Sequence, residues 1–333
     1  VLELVNGIPT FGSSAIGKDI PIEFTAFALS GDSVTVGNYR LVQPTGITAN
    51  IVEYIADGSE YDVNSNGWIN TDFVITAKNG YKLSLTGTAD GEWTDILTAS
   101  DETSNGKLTF YVKNTATGVI SSAVTENYKI DKTAPVGEVK LNGRLAFRTI
   151  LNTIGFDLFF GNDVNIKLTA TDEASGVKSV LYYKSDKVLS DDEVRAITDW
   201  IENSDFDIKA EDMDRFIIYV RIEDNAGNVG YIGSDGVTFD TSAPEIVGVE
   251  NGNIYYVTKK IAIDDENLES VTLNGKPVDS VFIITGDINA TYVIRAVDKA
   301  GNVTEYTVIM KPIASVTDAI EAITIDNVKN SDK

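Results

Sequence analysis

Two residue types that carry much of enzyme chemistry are missing from this chain. Its 333 residues include no cysteine and no histidine. Disulfides, thiolate nucleophiles, imidazole bases and ordinary zinc sites are therefore excluded. Carboxylate pairs and Ser-Lys arrangements remain available, but neither has a local signature in this sequence. We expect a chain that is not an enzyme.

Long apolar runs are missing as well. The apolar stretch 216–220 is among the longest, whereas a membrane-spanning helix needs ~20 such residues. The chain begins at Val1, and no basic stretch followed by an apolar one marks a signal peptide. We expect no membrane insertion, and a segment that was cut from a longer precursor.

Positive charge is scarce. The sequence has 27 Lys and Arg against 50 Asp and Glu, a net charge of −23. This excess repels phosphate backbones and anionic headgroups, so nucleic acid is not an expected partner. Acidic side chains also suit divalent cations, but composition does not separate a calcium site from a solvated surface.

Two short motifs recur along the chain. The junction motif Asp-Lys-Thr-Ala-Pro at 131–135 returns as Asp-Thr-Ser-Ala-Pro at 240–244. Proline restricts its own φ and the residue before it, so each copy predicts a semi-rigid end of one module. The motif Asp-x-x-Gly-Asn-Val occurs at 224–229 and 298–303, and its Asp, Gly and Asn predict tight hairpin turns.

Strand-like alternation precedes those turns. Phe216, Ile218, Val220 and Ile222 share one face of a predicted strand, so we expect one buried face. Short strands and frequent turn signals favour antiparallel sandwiches. The exception is the region near 190–201, where Ser-Asp-Asp-Glu at 190–193 predicts a capping box and a short helix.

The junction motif and the Asp-x-x-Gly-Asn-Val turn together resemble bacterial immunoglobulin-like domains of Gram-positive surface and secreted proteins. The resemblance covers about 58–313 and implies an all-β fold. We therefore predict tandem immunoglobulin-like β-sandwich modules in an extended array, with one short helical insertion.

The two ends of the chain differ from its middle. Leu-Ser-Gly-Asp at 29–32 and Gly-Asn-Tyr-Arg-Leu-Val-Gln-Pro-Thr-Gly at 37–46 are similar to the closing half of a YDG-type adhesin repeat. Residues 314–333 resemble the start of a helical linker repeat. The predicted modules are a partial YDG-like β module at 1–57, sandwiches at 58–135 (second), 136–244 (third) and 245–313 (fourth), and the helical linker at 314–333.

One segment resembles half of a calcium loop. Asp62, Asn64 and Asn66 provide oxygen atoms at loop positions 1, 3 and 5, with Gly67 at position 6. The expected carboxylate at position 12 is absent, because Phe73 is there. Calcium is the one cofactor considered, and the alternative for these residues is an Asx-rich turn.

Two tryptophans occupy similar places in successive modules. Trp93 precedes the pair Tyr-Val at 111–112 by 18 residues, and Trp200 precedes the pair Tyr-Val at 219–220 by 19. Sugar-stacking platforms and core residues both fit this placement, and we expect core residues.

Three functions fit these features. The first is a non-catalytic stalk or adhesin segment, extracellular and monomeric, that spaces or presents binding domains and binds weakly to a glycan or a host surface protein. The second is a set of accessory modules in a large secreted polysaccharide-degrading enzyme. The third, a glycosidase built on a carboxylate pair, is disfavoured by the small modules.

Overall fold

The computed structural model describes residues 2–145, 155–313, 317 and 320, apart from positions 6, 14, 16, 26, 43, 212, 213 and 287. The chain forms two compact units, 1–132 and 133–333. The proposed helical linker at 314–333 therefore lies almost wholly outside the described residues.

The N-terminal part of the first unit consists of small sheets with little core. Ile20 is buried, whereas Leu4, Ile8 and Phe11 are at least half exposed. The sheets have the orders β1-β4 and β2-β3-β5. Their elements are β1 (Glu3–Val5), β2 (Ile8–Phe11), β3 (Gly17–Thr25), β4 (Ala28–Ser30), α1 (Ser33–Gly37) and β5 (Thr48–Ile51). Helix α1 was not predicted from the sequence, because one turn with no buried residue leaves no apolar periodicity.

The second module is a sandwich of two sheets, β10-β8-β6 and β7-β12-β11-β9. Its core includes Phe73 and Ile75 from one sheet and Phe110 and Val112 from the other. The strands are β6 (Tyr61–Val63), β7 (Trp68–Ile69), β8 (Phe73–Ala77), β9 (Tyr81–Ser84), β10 (Ile96–Ala99), β11 (Thr103–Asn114) and β12 (Val124–Ile130).

The third module repeats this plan with additional strands and a short helix. Its sheets are β14-β13-β16-β18 and β15-β21-β19-β17, with β20 also paired to β19. The elements are β13 (Val136–Leu141), β14 (Arg144–Leu145), β15 (Leu158–Phe160), β16 (Val164–Thr171), β17 (Val177–Ser185), α2 (Asp191–Arg195), β18 (Asp205–Ile208), β19 (Arg215–Asp224), β20 (Val229–Gly233) and β21 (Val237–Phe239).

The fourth module has a separate core of its own. Its sheets are β22-β24-β27 and β23-β29-β28-β25-β26. The strands are β22 (Glu245–Val247), β23 (Ile254–Tyr255), β24 (Lys259–Asp264), β25 (Leu268–Leu273), β26 (Lys276–Pro277), β27 (Val281–Ile284), β28 (Ala290–Asp298) and β29 (Val303–Met310).

The same parallel pairing recurs in all three sandwiches. Short strands β7, β15 and β23 pair parallel with β12, β21 and β29, which are the last strands of their modules. All other strand pairs in the described chain are antiparallel. The described residues thus form an all-β, immunoglobulin-like tandem fold, as the sequence predicts.

The sheet of the third module is buried on both faces, which corrects the expectation of one buried face. Phe216 and Ile218 point into the sandwich core. Ile217 and Tyr219, on the opposite face, are also fully buried, in a second cluster with Val194 of α2. The insertion therefore acts as a cover over the outer face of β19.

The predicted helix is real but shorter than 190–201. Its capping box is formed, because the Ser190 side chain accepts from the Glu193 amide and the Glu193 carboxylate accepts from the Ser190 amide. The helix ends at Arg195. Ile201 instead forms a β-bridge with Tyr182, with both backbone hydrogen bonds made at 2.8 and 2.9 Å.

Candidate metal centre

Asp240 comes directly after the last strand of the third module and begins the connection to the fourth. It directly follows β21 and is 4% exposed. Its carboxylate accepts hydrogen bonds from the Ser242 amide at 3.3 Å and from Asn267 Nδ2 at 2.8 Å. Its carbonyl oxygen accepts one from Asn302 Nδ2 at 2.7 Å. Asp240 is therefore held by two segments of the fourth module.

Asp298 ends β28 and organises the hairpin turn that follows. Its carboxylate accepts from the Asn302 amide at 2.8 Å and from Asn302 Nδ2 at 2.7 Å. Gly301 has φ +88°, which an L side chain rarely adopts. Strands β28 and β29 pair across this turn, and β19 pairs with β20 across the equivalent turn at Asp224. Both predicted hairpin turns are confirmed.

Asp265 follows β24 and completes a group of three carboxylates. One oxygen each from Asp240, Asp265 and Asp298 lies within 4.8 Å of the other two. Asp298 is fully buried, Asp240 nearly so, and Asp265 is partly buried. No ion pair among the described residues involves these three side chains.

The pKa of Asp265 shows how burial and neighbouring negative charge act on this group. Burial raises the pKa of its carboxyl above the usual range, and the nearby negative charges of Asp240, Asp298 and Asp264 raise it further. A hydrogen bond from the Asn267 amide, 2.8 Å long, acts in the opposite direction. Carboxylate oxygens are the ligands that calcium prefers, so Asp240, Asp265 and Asp298 are the residues that could hold such an ion.

This convergence was missed from the sequence, although its parts are visible there. Asp240 belongs to the junction motif and Asp298 to the turn motif, whereas Asp265 belongs to neither. The repeat carried the missing signal. In each repeat one aspartate opens the junction motif, one opens the turn motif, and one lies between them. The earlier repeat has these aspartates at positions 131, 224 and 172.

The calcium loop considered at 62–67 has its side chains engaged locally. Asp62 lies in β6 and pairs with Lys78 Nζ at 3.3 Å. The Asn64 amide group spans to the neighbouring strand, donating to the Asp72 carbonyl at 2.8 Å and accepting from the Val74 amide at 3.0 Å. Asn66 is exposed. Calcium at Asp62, Asn64 and Asn66 stays a prediction.

The expectation that Trp93 and Trp200 are core residues was wrong. Both are only partly buried, and neither belongs to a sandwich core. Trp200 packs on the outer cluster beside Tyr183 and Tyr231, and Lys113 lies 5.3 Å from the Trp93 ring centre. Their shared placement has a different cause, because each tryptophan directly precedes a residue that forms an isolated β-bridge. Trp93 precedes Thr94, which bridges to Leu83, and Trp200 precedes Ile201, which bridges to Tyr182.

The Trp200 ring is not coplanar with the aromatic rings beside it. Its ring is inclined by 68° to that of Tyr183 and by 44° to that of Tyr231. Its indole nitrogen donates to the Ile197 carbonyl at 2.9 Å, which fixes the chain after α2.

Comparison with known proteins gives no family. No protein-family model and no curated protein matches the chain. Within the described residues, no helix is both long enough and apolar enough to cross a bilayer.

Solved structures that resemble the chain consist of tandem domains. The three N-terminal domains of the bacteriophage RB49 outer capsid protein Hoc share 13% identity over 76% of this chain and 98% of that one, with a TM-score of 0.33. A structure from a 1.5-MDa bacterial ice-binding adhesin shares 16% identity over 75% of this chain and 95% of that one, with a TM-score of 0.30. The fibronectin(III)-like modules of Clostridium thermocellum CbhA share 12% identity over 55% of this chain and 94% of that one, with a TM-score of 0.27. Likeness at this level carries no argument about what this chain does.

Proposed function

We propose that the chain is a stiff, non-catalytic segment of a bacterial cell-surface or secreted protein, which spaces or presents binding domains and itself binds at most weakly to a glycan or host protein. The observation that carries the proposal is the joint between the third and fourth modules. Only residues 240–244 connect β21 to β22.

This joint is fixed by hydrogen bonds from the fourth module. Asn302 Nδ2 donates to the carbonyl oxygens of Asp240 and Ser242, at 2.7 and 3.2 Å, and Asn267 holds the Asp240 carboxylate. Lys299 Nζ lies 5.1 Å from the ring centre of Phe159 in the third module. A connection held at several points resists bending, as a spacer requires.

The chemistry available supports a non-catalytic role. With no histidine in the chain, no side chain has an unperturbed pKa near neutrality for acid–base work.

Small-angle scattering of the whole chain tests the spacer. Sandwiches placed end to end, each about 30–40 Å long, give a radius of gyration of roughly 35–45 Å. A compact body of this length gives about 20 Å, and such a value would contradict an extended array. The alternative role, accessory modules of a polysaccharide-degrading enzyme, is decided by whether the full precursor encodes a catalytic domain.

A further inference from the structure

A pocket in the first unit combines aromatic walls with negative charge. It has a volume of about 500 Å³, within the range of small-molecule sites. The residues that line it are Val52, Glu53, Tyr54, Ile55, Glu60, Tyr81, Asn114, Thr117 and Val119. Two of them are glutamates, two are tyrosines, and none is Lys or Arg.

One side of the pocket is the segment that leads into the second module. The Tyr54 carbonyl accepts a hydrogen bond from the Ser122 amide at 2.8 Å, which ties this segment to the sandwich. The opposite side is the turn after β11, which Asn114 closes by accepting from the amides of Ala116 and Thr117 at 3.0 and 3.1 Å. Both walls are thus set by hydrogen bonds before any ligand binds.

A buried carboxylate makes the pocket negative. Glu60 is 4% exposed and accepts from the Tyr54 hydroxyl at 2.8 Å and from the amides of Asp57 and Gly58 at 3.2 and 3.1 Å. Burial raises the pKa of the Tyr54 phenol, and its hydrogen bond to Glu60 and the nearby acidic groups raise it further. The Tyr54 ring therefore remains a neutral, electron-rich surface at physiological pH.

These features select for one ligand chemistry. An ammonium group is attracted by the face of a tyrosine ring and by carboxylates, and it gains most from both where water is partly excluded. The exposed apolar side chains of Val52, Ile55 and Val119 provide contact for the alkyl part of such a ligand. We infer that this pocket binds an organic ammonium group, carried either by a small quaternary ammonium compound or by a lysine side chain.

The test is NMR titration of the whole chain at low salt. The probes are choline, its neutral isostere 3,3-dimethylbutan-1-ol, and Nα-acetyl-lysine amide. We expect choline or the lysine amide to shift backbone amides of 52–60 and 114–119 but not those of 245–310, and to bind at least about tenfold more tightly than the neutral isostere. The better of the two cations identifies the source. Equal binding of the neutral isostere, or no shifts at these residues, would overturn the inference.

Substitutions give a second line of evidence. Glu53→Gln should weaken binding about two- to fivefold, because it removes one exposed charge beside the ligand. Glu92→Gln, which removes an exposed charge of the same compact unit away from the pocket lining, should leave binding unchanged. Equal effects of the two variants would show that only the overall charge of the chain matters.

Discussion

At the scale of single residues, Asp265 bears an electrostatic cost in the folded protein. Its carboxyl has a higher pKa in the folded module than the ordinary value of 3.8, because it is partly buried beside other carboxylates. Between pH 3.8 and the raised pKa, the folded state therefore binds more protons than the unfolded chain. The fourth module loses stability as the pH rises through that window, and the cost is fully present above it.

Asp265→Asn should therefore stabilise the fourth module at pH 7 in a buffer with chelator. The amide oxygen can still accept from the Asn267 amide, while the negative charge is gone. We expect a rise of about 2–4 °C in melting temperature, discounted for solvent screening, which disappears below pH 3.8. Asp279→Asn, an exposed change in the same module, is the control. A lower melting temperature for Asp265→Asn at pH 7 would show that the carboxylate is stabilising.

Calcium titration distinguishes the two groups of oxygen ligands. If the three-carboxylate group binds the ion, millimolar calcium should raise the melting temperature of the unaltered chain, and Asp265→Asn should abolish the rise. If the loop at 62–67 binds it, Asp62→Asn should abolish the rise instead. Unchanged melting of the unaltered chain would remove both sites.

Trp200 contributes stability from the outer face of its sheet. Trp200→Ala should destabilise the third module by about 1–3 kcal/mol, below the ~3–5 kcal/mol typical of a buried aromatic, because the ring is only partly buried. Calorimetry of the whole chain measures this in the transition that belongs to that module. A loss near 5 kcal/mol would indicate a core position after all.

At the scale of elements, the short helix α2 is what keeps the second face of β19 dry. Ser190→Ala removes the N-cap and should cost about 1 kcal/mol locally. Hydrogen exchange should then be faster at the amides of Val194 and Ile197, which depend on the helix. Thr198→Ala, exposed and outside the helix, is the matched control and should leave that exchange unaltered.

The same element shows what a sequence can and cannot predict. Period-two alternation at Phe216, Ile218 and Val220 predicts β19 and its core face, and the Ser-x-x-Glu pattern predicts where α2 begins. Neither pattern shows that Ile217 and Tyr219 are covered, because their cover lies far away in the sequence. The three-carboxylate group was missed for the same reason: Asp240, Asp265 and Asp298 lie at the ends of three different strands, and only the fold brings them together.

At the scale of the molecule, the account depends on how stiffly one module is joined to the next. The joint at 240–244 is short, contains Pro244, and is held by the side chains of Asn267 and Asn302. Loss of the Asn302 side chain removes both of its hydrogen bonds to the joint and its Nδ2 hydrogen bond to the Asp298 carboxylate. The hydrogen bond from the backbone amide of residue 302 to Asp298 is kept. Asn302→Ala should therefore loosen the joint while leaving the two sandwich cores intact.

The most direct measurement is the distribution of distances across this joint. The chain has no cysteine, so Glu202→Cys and Glu269→Cys, at exposed positions of the third and fourth modules, allow two spin labels to be attached to the whole chain. Electron–electron double resonance should give one narrow distance distribution in this background, and a clearly broader one when Asn302→Ala is added. A distribution that is already broad with Asn302 in place would contradict the stiff spacer.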